Sequence, residues 1–151
     1  AANGQYWRLV TPVFLHFGWL HITFNSLWCW DLGRRIEMTL GSLNMAGLFL
    51  LTAIVGNVAQ NLWAGSVLFG GLSGVVYGLL GFSWCAGFVN SRWQKLQTPG
   101  QVVFLMLLWL GFCLLDVSEV LGFSVANAAH LGGLLSGCLA GLVFGFGYQR
   151  C

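Results

Sequence analysis

The chain is 151 residues long, with 58% of them hydrophobic and only 7% charged. Soluble domains carry about a quarter charged residues, so six basic and four acidic side chains are too few to solvate a globule of this size, and a water-soluble fold is excluded. The net charge of +2 provides no basic surface for nucleic acid, and the length fits one domain over residues 1–151.

Polar breaks divide the chain into five candidate spans, each near the ~20 residues a helix needs to cross ~30 Å of hydrocarbon. The first runs from Trp19 to Leu40 and the second from Leu43 to Trp63. The third covers Leu72–Val89, the fourth Val102–Val120 and the fifth Asn127–Phe146. Between them lie Gly41-Ser42, Ala64-Gly65-Ser66, a polar stretch from Asn90 to Gln101 containing Pro99-Gly100, and Gly122-Phe123-Ser124. The expected fold is therefore all-α, a polytopic membrane helix bundle. Its 22 glycines and 8 tryptophans suit that environment, where small residues permit close helix packing and Trp favours the interfaces. Gly74, Gly78 and Gly81 line the third span, and Gly133, Gly137 and Gly141 the fifth. The five cysteines (Cys29, Cys85, Cys113, Cys138 and Cys151) form no CxxC pair and read as small apolar residues without a disulfide framework.

The cations set the orientation. Arg34 and Arg35 end the first span, Arg92 and Lys95 lie between the third and fourth, and Arg150 follows the fifth. Alternating spans bring these to one side, which the positive-inside rule makes cytoplasmic, leaving Arg8 opposite. The first, third and fifth spans then start just below the outer face. Their opening turns carry His21 and Asn25, Ser73, and His130. Three distant segments thus deliver Ser, His, His and Asn to one depth.

That set has a chemistry. Ser73 stands in Gly71-Leu72-Ser73-Gly74 at a helix start, where the helix dipole favours developing negative charge. By itself a GxSG is a weak signal, and serine needs an adjacent base to act as a nucleophile. His130, flanked by small and apolar residues, is the candidate base. Asp116 and Glu119 belong near the outer loop, so a Ser–His dyad is expected rather than a triad. Tyr77, one turn below Ser73, would pack on His130. His21 and Asn25, at i and i+4, would aim donors at one point and form an oxyanion hole with the Ser73 amide. His16 lies just before the first span as a supporting position, with Gly71, Gly74 and Asn127. The plainer alternative for each is inter-helix hydrogen bonding or packing. A zinc site on His16, His21 and His130 is disfavoured, since no HExxH or nearby carboxylate accompanies them; neither metal nor organic cofactor is expected.

Three segments carry a resemblance. His16-Phe17-Gly18-Trp19-Leu20-His21-Ile22-Thr23-Phe24-Asn25 resembles the HxxxxHxxxN signature of rhomboid intramembrane serine proteases. Gly71-Leu72-Ser73-Gly74-Val75-Val76-Tyr77 is similar to the family's GxSGxxxY, and Ala129-His130-Leu131-Gly132-Gly133 with Gly137 to its AHxxGxxxG. Order and separation match over nearly the whole chain, most like the rhomboids of Gram-negative bacteria. The resemblance implies Ser73 as nucleophile, His130 as base, and His21, Asn25 and the Ser73 amide around the oxyanion, with Tyr77 supporting His130. It makes Trp7-Arg8 the end of a long first loop and Glu37 a structural position. It implies lateral substrate entry between the first and fourth spans, past Phe24, Trp28 and Trp109.

The family core has six spans, so the resemblance implies that the first is missing here and the domain is N-terminally incomplete. Pro12 stands where close relatives often carry another histidine. The function expected is endoproteolysis of single-span transmembrane proteins in the bilayer of the bacterial inner membrane, through an acyl-enzyme. The site would open toward the periplasm, with the C-terminus in the cytoplasm. The alternative is a catalytically silent rhomboid-like binding module or chaperone. Oligomeric state and natural substrate are not legible in the sequence.

Overall fold

The computed structural model describes residues 4–65, 68–115 and 125–148. Asp116, Glu119, Arg150 and Cys151, with the tail of the expected fourth span, lie outside the described residues. Every regular element among them is helical: α1 (Trp19–Leu40), α2 (Ser42–Ala64), α3 (Ser73–Val89), α4 (Gly100–Leu114) and α5 (Asn127–Gly147). Three short 3-10 helices, not foreseen from periodicity, cover Tyr6–Leu9, Thr11–Phe14 and Ser91–Leu96. The first packs against α2, the second against α2 and α3, and the third against α1 and α3.

The turn between α1 and α2 is a single residue. Gly41 adopts φ +85°, a conformation L side chains rarely take, and its N–H closes α1 on the Glu37 carbonyl at 2.8 Å. The Ser42 hydroxyl then donates to the Glu37 carboxylate at 2.6 Å, so Glu37 caps the corner. α2 and α5 are each long and apolar enough to cross a membrane. Trp19 at the start of α1 and Trp63 at the end of α2 are 88% and 83% exposed, at the end of the bundle where an interfacial aromatic girdle belongs.

α3 is the central element. Residues 74–83 are all buried, which no lipid-facing helix permits. Its closest neighbour is α5, and glycine makes that possible. A Cβ on Gly133 would strike the Gly74 carbonyl, and one on Gly137 would strike the Gly78 carbonyl. One turn further, a Cβ on Gly81 would lie 2.6 Å from the Leu134 carbonyl oxygen and one on Gly141 at 2.6 Å from that of Phe82. The two backbones are therefore in direct contact over about three turns. From the other side, Thr52 of α2 fills the space against Gly78, its hydroxyl satisfied by the Leu48 carbonyl at 2.9 Å. At the far end Asn90 donates to the Gly145 carbonyl at 3.2 Å and accepts from the Arg92 amide at 3.1 Å.

α4 is held more thinly, with only Val103, Leu110 and Cys113 buried. The contrast between α3–α5 and α4 predicts opposite results for two substitutions. Gly137→Val should destabilise the folded protein by about 3 kcal/mol or more through overpacking, read as a lower Tm in detergent. Gly111→Ala, whose Cβ would meet nothing within 4 Å, should leave the Tm unchanged or slightly raised.

Candidate active site

The segment entering α3 determines where Ser73 stands. Gly71 has φ +126°, and a Cβ there would lie 2.9 Å from His21 Nε2 and 3.6 Å from Ser73 Oγ. Only glycine therefore lets the chain turn into α3 with the His21 ring at its back. The turn is tied down from the N-terminal segment. The Gly71 amide donates to the Pro12 carbonyl at 3.0 Å, and the Leu72 amide to His16 Nε2 at 3.4 Å. His16 Nδ1 faces the Phe14 carbonyl at 3.3 Å. Donation from Nδ1 leaves Nε2 free to accept from Leu72, so both contacts agree on one tautomer. Pro12 brings no side-chain donor but contributes its carbonyl.

Ser73, opening α3, and His130, in the first turn of α5, meet across the glycine contact. His130 Nε2 lies 2.7 Å from Ser73 Oγ. His130 is buried, and the Tyr77 ring covers it with centroids 4.9 Å apart, tilted by 38°. The Tyr77 hydroxyl points away from His130 and donates to the Met106 carbonyl of α4 at 2.8 Å. From α1, the His21 ring meets that of His16 edge-on at 5.0 Å. Asn25, one turn below His21, is buried, and its Nδ2 has no hydrogen-bond partner among the described residues. The structure thus brings Ser73, His130, Tyr77, His16 and His21 together, with Gly71 and Gly74 shaping the approach. A Cβ on Gly74 would sit 3.1 Å from the Ala129 carbonyl oxygen. Asn127 joins from the opening turn of α5, donating Nδ2 to the Cys113 carbonyl at 2.8 Å.

Phe24 and Trp109 are exposed and Trp28 half-buried. They stand on α1 and α4, helices without extensive mutual packing, and Trp109 stacks on Phe112 at 5.6 Å.

Two polar positions escaped the sequence reading. Gln60 Oε1 accepts the Ala129 amide at 3.1 Å, and Asn57 Nδ2 donates to the Leu9 carbonyl at 2.8 Å. Gln60 therefore caps one of the amides that the start of α5 exposes, next to His130, while Asn57 anchors the first 3-10 helix. Their signal was present, since polar residues inside an apolar span generally have assigned partners.

Chemically the arrangement is a hydroxyl in hydrogen-bond contact with an imidazole, beside a buried amide donor and a second imidazole, without a carboxylate among the described neighbours. The Tyr77 geometry makes a divided prediction. Tyr77→Phe should keep the ring over His130 and lose only the bond to Met106, costing about 1 kcal/mol in thermal or denaturant unfolding. Tyr77→Ala should remove the cover from His130 and depress any Ser73-dependent reaction far more than it lowers stability.

A family profile described as Rhomboid domain matches residues 3–146. The chain is 44% identical over 135 residues to the rhomboid protease GlpG of Serratia proteamaculans (strain 568). It is 40% identical over 135 residues to those of Yersinia pestis (strain Pestoides F) and Yersinia pseudotuberculosis serotype O:3 (strain YPIII). Each alignment covers 89% of this chain and 47% of the relative, so the chain spans about half the length of the curated relatives it matches.

Proposed function

The chain belongs to the rhomboid family, of the GlpG type, and from that premise we propose that it is an intramembrane serine endopeptidase cutting transmembrane segments of other proteins. The observation that carries this reading is the 2.7 Å approach of His130 Nε2 to Ser73 Oγ. At that distance the imidazole takes the hydroxyl proton as Oγ attacks a substrate carbonyl.

The tetrahedral oxyanion would then develop where donors already stand. Asn25 Nδ2 is buried without a partner among the described residues, His21 backs onto Gly71 beside Ser73, and the Ser73 amide is one of the free donors at the start of α3. Donors fixed before the reaction need no reorganisation during it, which is why such groups contribute strongly. His130 returns its proton to the leaving amine, and the acyl-enzyme is hydrolysed by a water that His130 deprotonates. Tyr77 holds the imidazole by its face, so orientation of the base does not depend on an acid. His16, Gly71, Gly74 and Asn127 support the site through the segments they fix.

Substrates would be single-span membrane proteins, met in the bilayer and entering between α1 and α4 past Phe24, Trp28 and Trp109. Helical segments hide their carbonyls in hydrogen bonds, so the favoured substrates are those that unwind near the cut. α3 has 17 residues, about 26 Å of helix, shorter than the ~30 Å hydrocarbon core. With its inner end at one interface, Ser73 lies below the other. Arg34 and Arg35 at the end of α1 and the helix carrying Arg92 and Lys95 pack at the same end of the bundle. By the positive-inside rule this end is cytoplasmic, and the site opens toward the periplasm of a bacterial inner membrane.

The test is cleavage of a single-span substrate in liposomes, with fluorophosphonate labelling alongside. The parent should cleave and become labelled. Ser73→Ala should abolish both, and His130→Ala should lower both by on the order of 10³-fold. A folded parent that neither labels nor cleaves would identify a binding module that keeps the fold without the chemistry.

A further inference from the structure

One pair of atoms around His130 has no role in the reaction just described. His130 Nδ1 and Asn127 Oδ1 are both buried, and neither has a hydrogen-bond partner among the described residues. They sit at i and i+3 in the first turn of α5, where side chains are neighbours on one face. Their chemistry is complementary. If Nε2 is to accept the Ser73 proton, the neutral imidazole carries its own proton on Nδ1, which makes Nδ1 a donor. Oδ1 is an acceptor, and its identity is settled by the other end of the amide, whose Nδ2 donates to the Cys113 carbonyl at 2.8 Å.

A buried donor and a buried acceptor left unpaired each carry a desolvation penalty, and a bridging water removes both penalties where polar partners are within reach. We propose that Asn127 is a positioning residue for the base: its Oδ1 receives the Nδ1–H of His130 through one buried water, while its Nδ2 is held by the last turn of α4. This rests on the protease reading only in taking His130 as the base. Asn127 would then have the orienting part that a carboxylate has in a triad, without adding a charge. Among the described residues the titratable groups facing His130 are His21 from α1 and Tyr77 from α3, and neither supplies an acceptor to Nδ1. α4 also enters the design. Both polar side chains that hold its carbonyls, Tyr77 on Met106 and Asn127 on Cys113, belong to the surroundings of His130, so the seat of α4 and the orientation of the base are set together.

The experiment uses the whole chain, labelled with ¹⁵N-histidine, in detergent micelles. The chain has three histidines, and His130 is assigned by its loss in His130→Ala. The parent should show His130 with its proton on Nδ1, slow to exchange with solvent. Asn127→Leu, close in size without the acceptor, should shift that resonance or lose it to exchange. Its kcat should fall on the order of 10²-fold with KM within about two-fold. Asn127→Asp keeps the acceptor but, when ionised, cannot donate to Cys113. It should move the Nδ1 proton downfield and recover kcat to within about ten-fold of the parent. An Nδ1 resonance indifferent to both substitutions overturns the proposal. So does equal loss of kcat in the Leu and Asp variants, because a mere tether to α4 is missing from both. Should Asn127→Leu fail to fold, the downfield shift in Asn127→Asp decides alone. A parent whose Nδ1 resonance responds to Asn127 but which cleaves nothing would sink the protease reading and leave this assignment standing.

Discussion

Direct backbone contact between α3 and α5 is the constraint on which the rest of the structure depends. In hydrocarbon, lipid tails compete equally for apolar side chains, so helices gain little from burying Leu against Leu. What holds them is close van der Waals contact, and that requires small residues in register. Methyl groups added at Gly81, Gly133, Gly137 or Gly141 would collide with carbonyl oxygens of the facing helix, and one at Gly78 with Thr52 of α2. Ser73 and His130 sit at the end of this seam where α3 and α5 begin, and their 2.7 Å separation is a consequence of it. A larger residue anywhere along the seam would push α5 outward and part the two side chains.

Around that seam, polar side chains act as staples aimed at backbone rather than at one another. Asn57 reaches Leu9, Gln60 reaches Ala129, Tyr77 reaches Met106, Asn90 reaches Gly145 and Asn127 reaches Cys113. Each joins two elements distant in sequence. The physical reason is the absence of water in the bilayer core, where an unpaired amide or carbonyl is costly. Buried side-chain donors therefore find the second lone pair of carbonyls already engaged in helices, and Gln60 takes up an amide at the start of α5. The ion pair of Arg35 with Asp31 at 2.9 Å is by contrast local to α1, half-exposed, and of little consequence for the fold.

Flexibility is distributed unevenly in consequence. α3 is enclosed by α1, α2, α5 and the 3-10 helix at Ser91–Leu96, while α4 presents most of its surface outward, buries Val103, Leu110 and Cys113, and has its Met106 and Cys113 carbonyls held by Tyr77 and Asn127. The half-buried Ser73 lies next to this lightly held helix, and the residues that hold α4, Tyr77 and Asn127, are the ones around His130.

Several features were decided by sequence alone. Composition excluded a soluble fold because ten charges cannot hydrate such a surface. Span boundaries were legible because glycine, proline and polar clusters interrupt apolar runs: Trp19–Leu40 matches α1, Ser42–Ala64 is one residue longer than expected at each end, and Asn127–Gly147 one residue longer at its C-terminal end. The helix within the fourth span ends at Leu114, and the expected remainder falls outside the described residues. Alternating spans were enough for the expectation that Ser73, His130, His21 and Asn25 share one depth, since rise per residue is fixed in a helix. Partners were decided only by tertiary structure. That Tyr77 bonds α4, that Gln60 caps α5, and that His16 braces the turn before Ser73 depend on how each helix is rotated and crossed. Helices apolar on every side carry no amphipathic stripe from which rotation can be read. The N-terminal 3-10 helices were illegible for a related reason: they are held by Asn57 and by the Gly71–Pro12 bond, contacts that exist only once the bundle has formed.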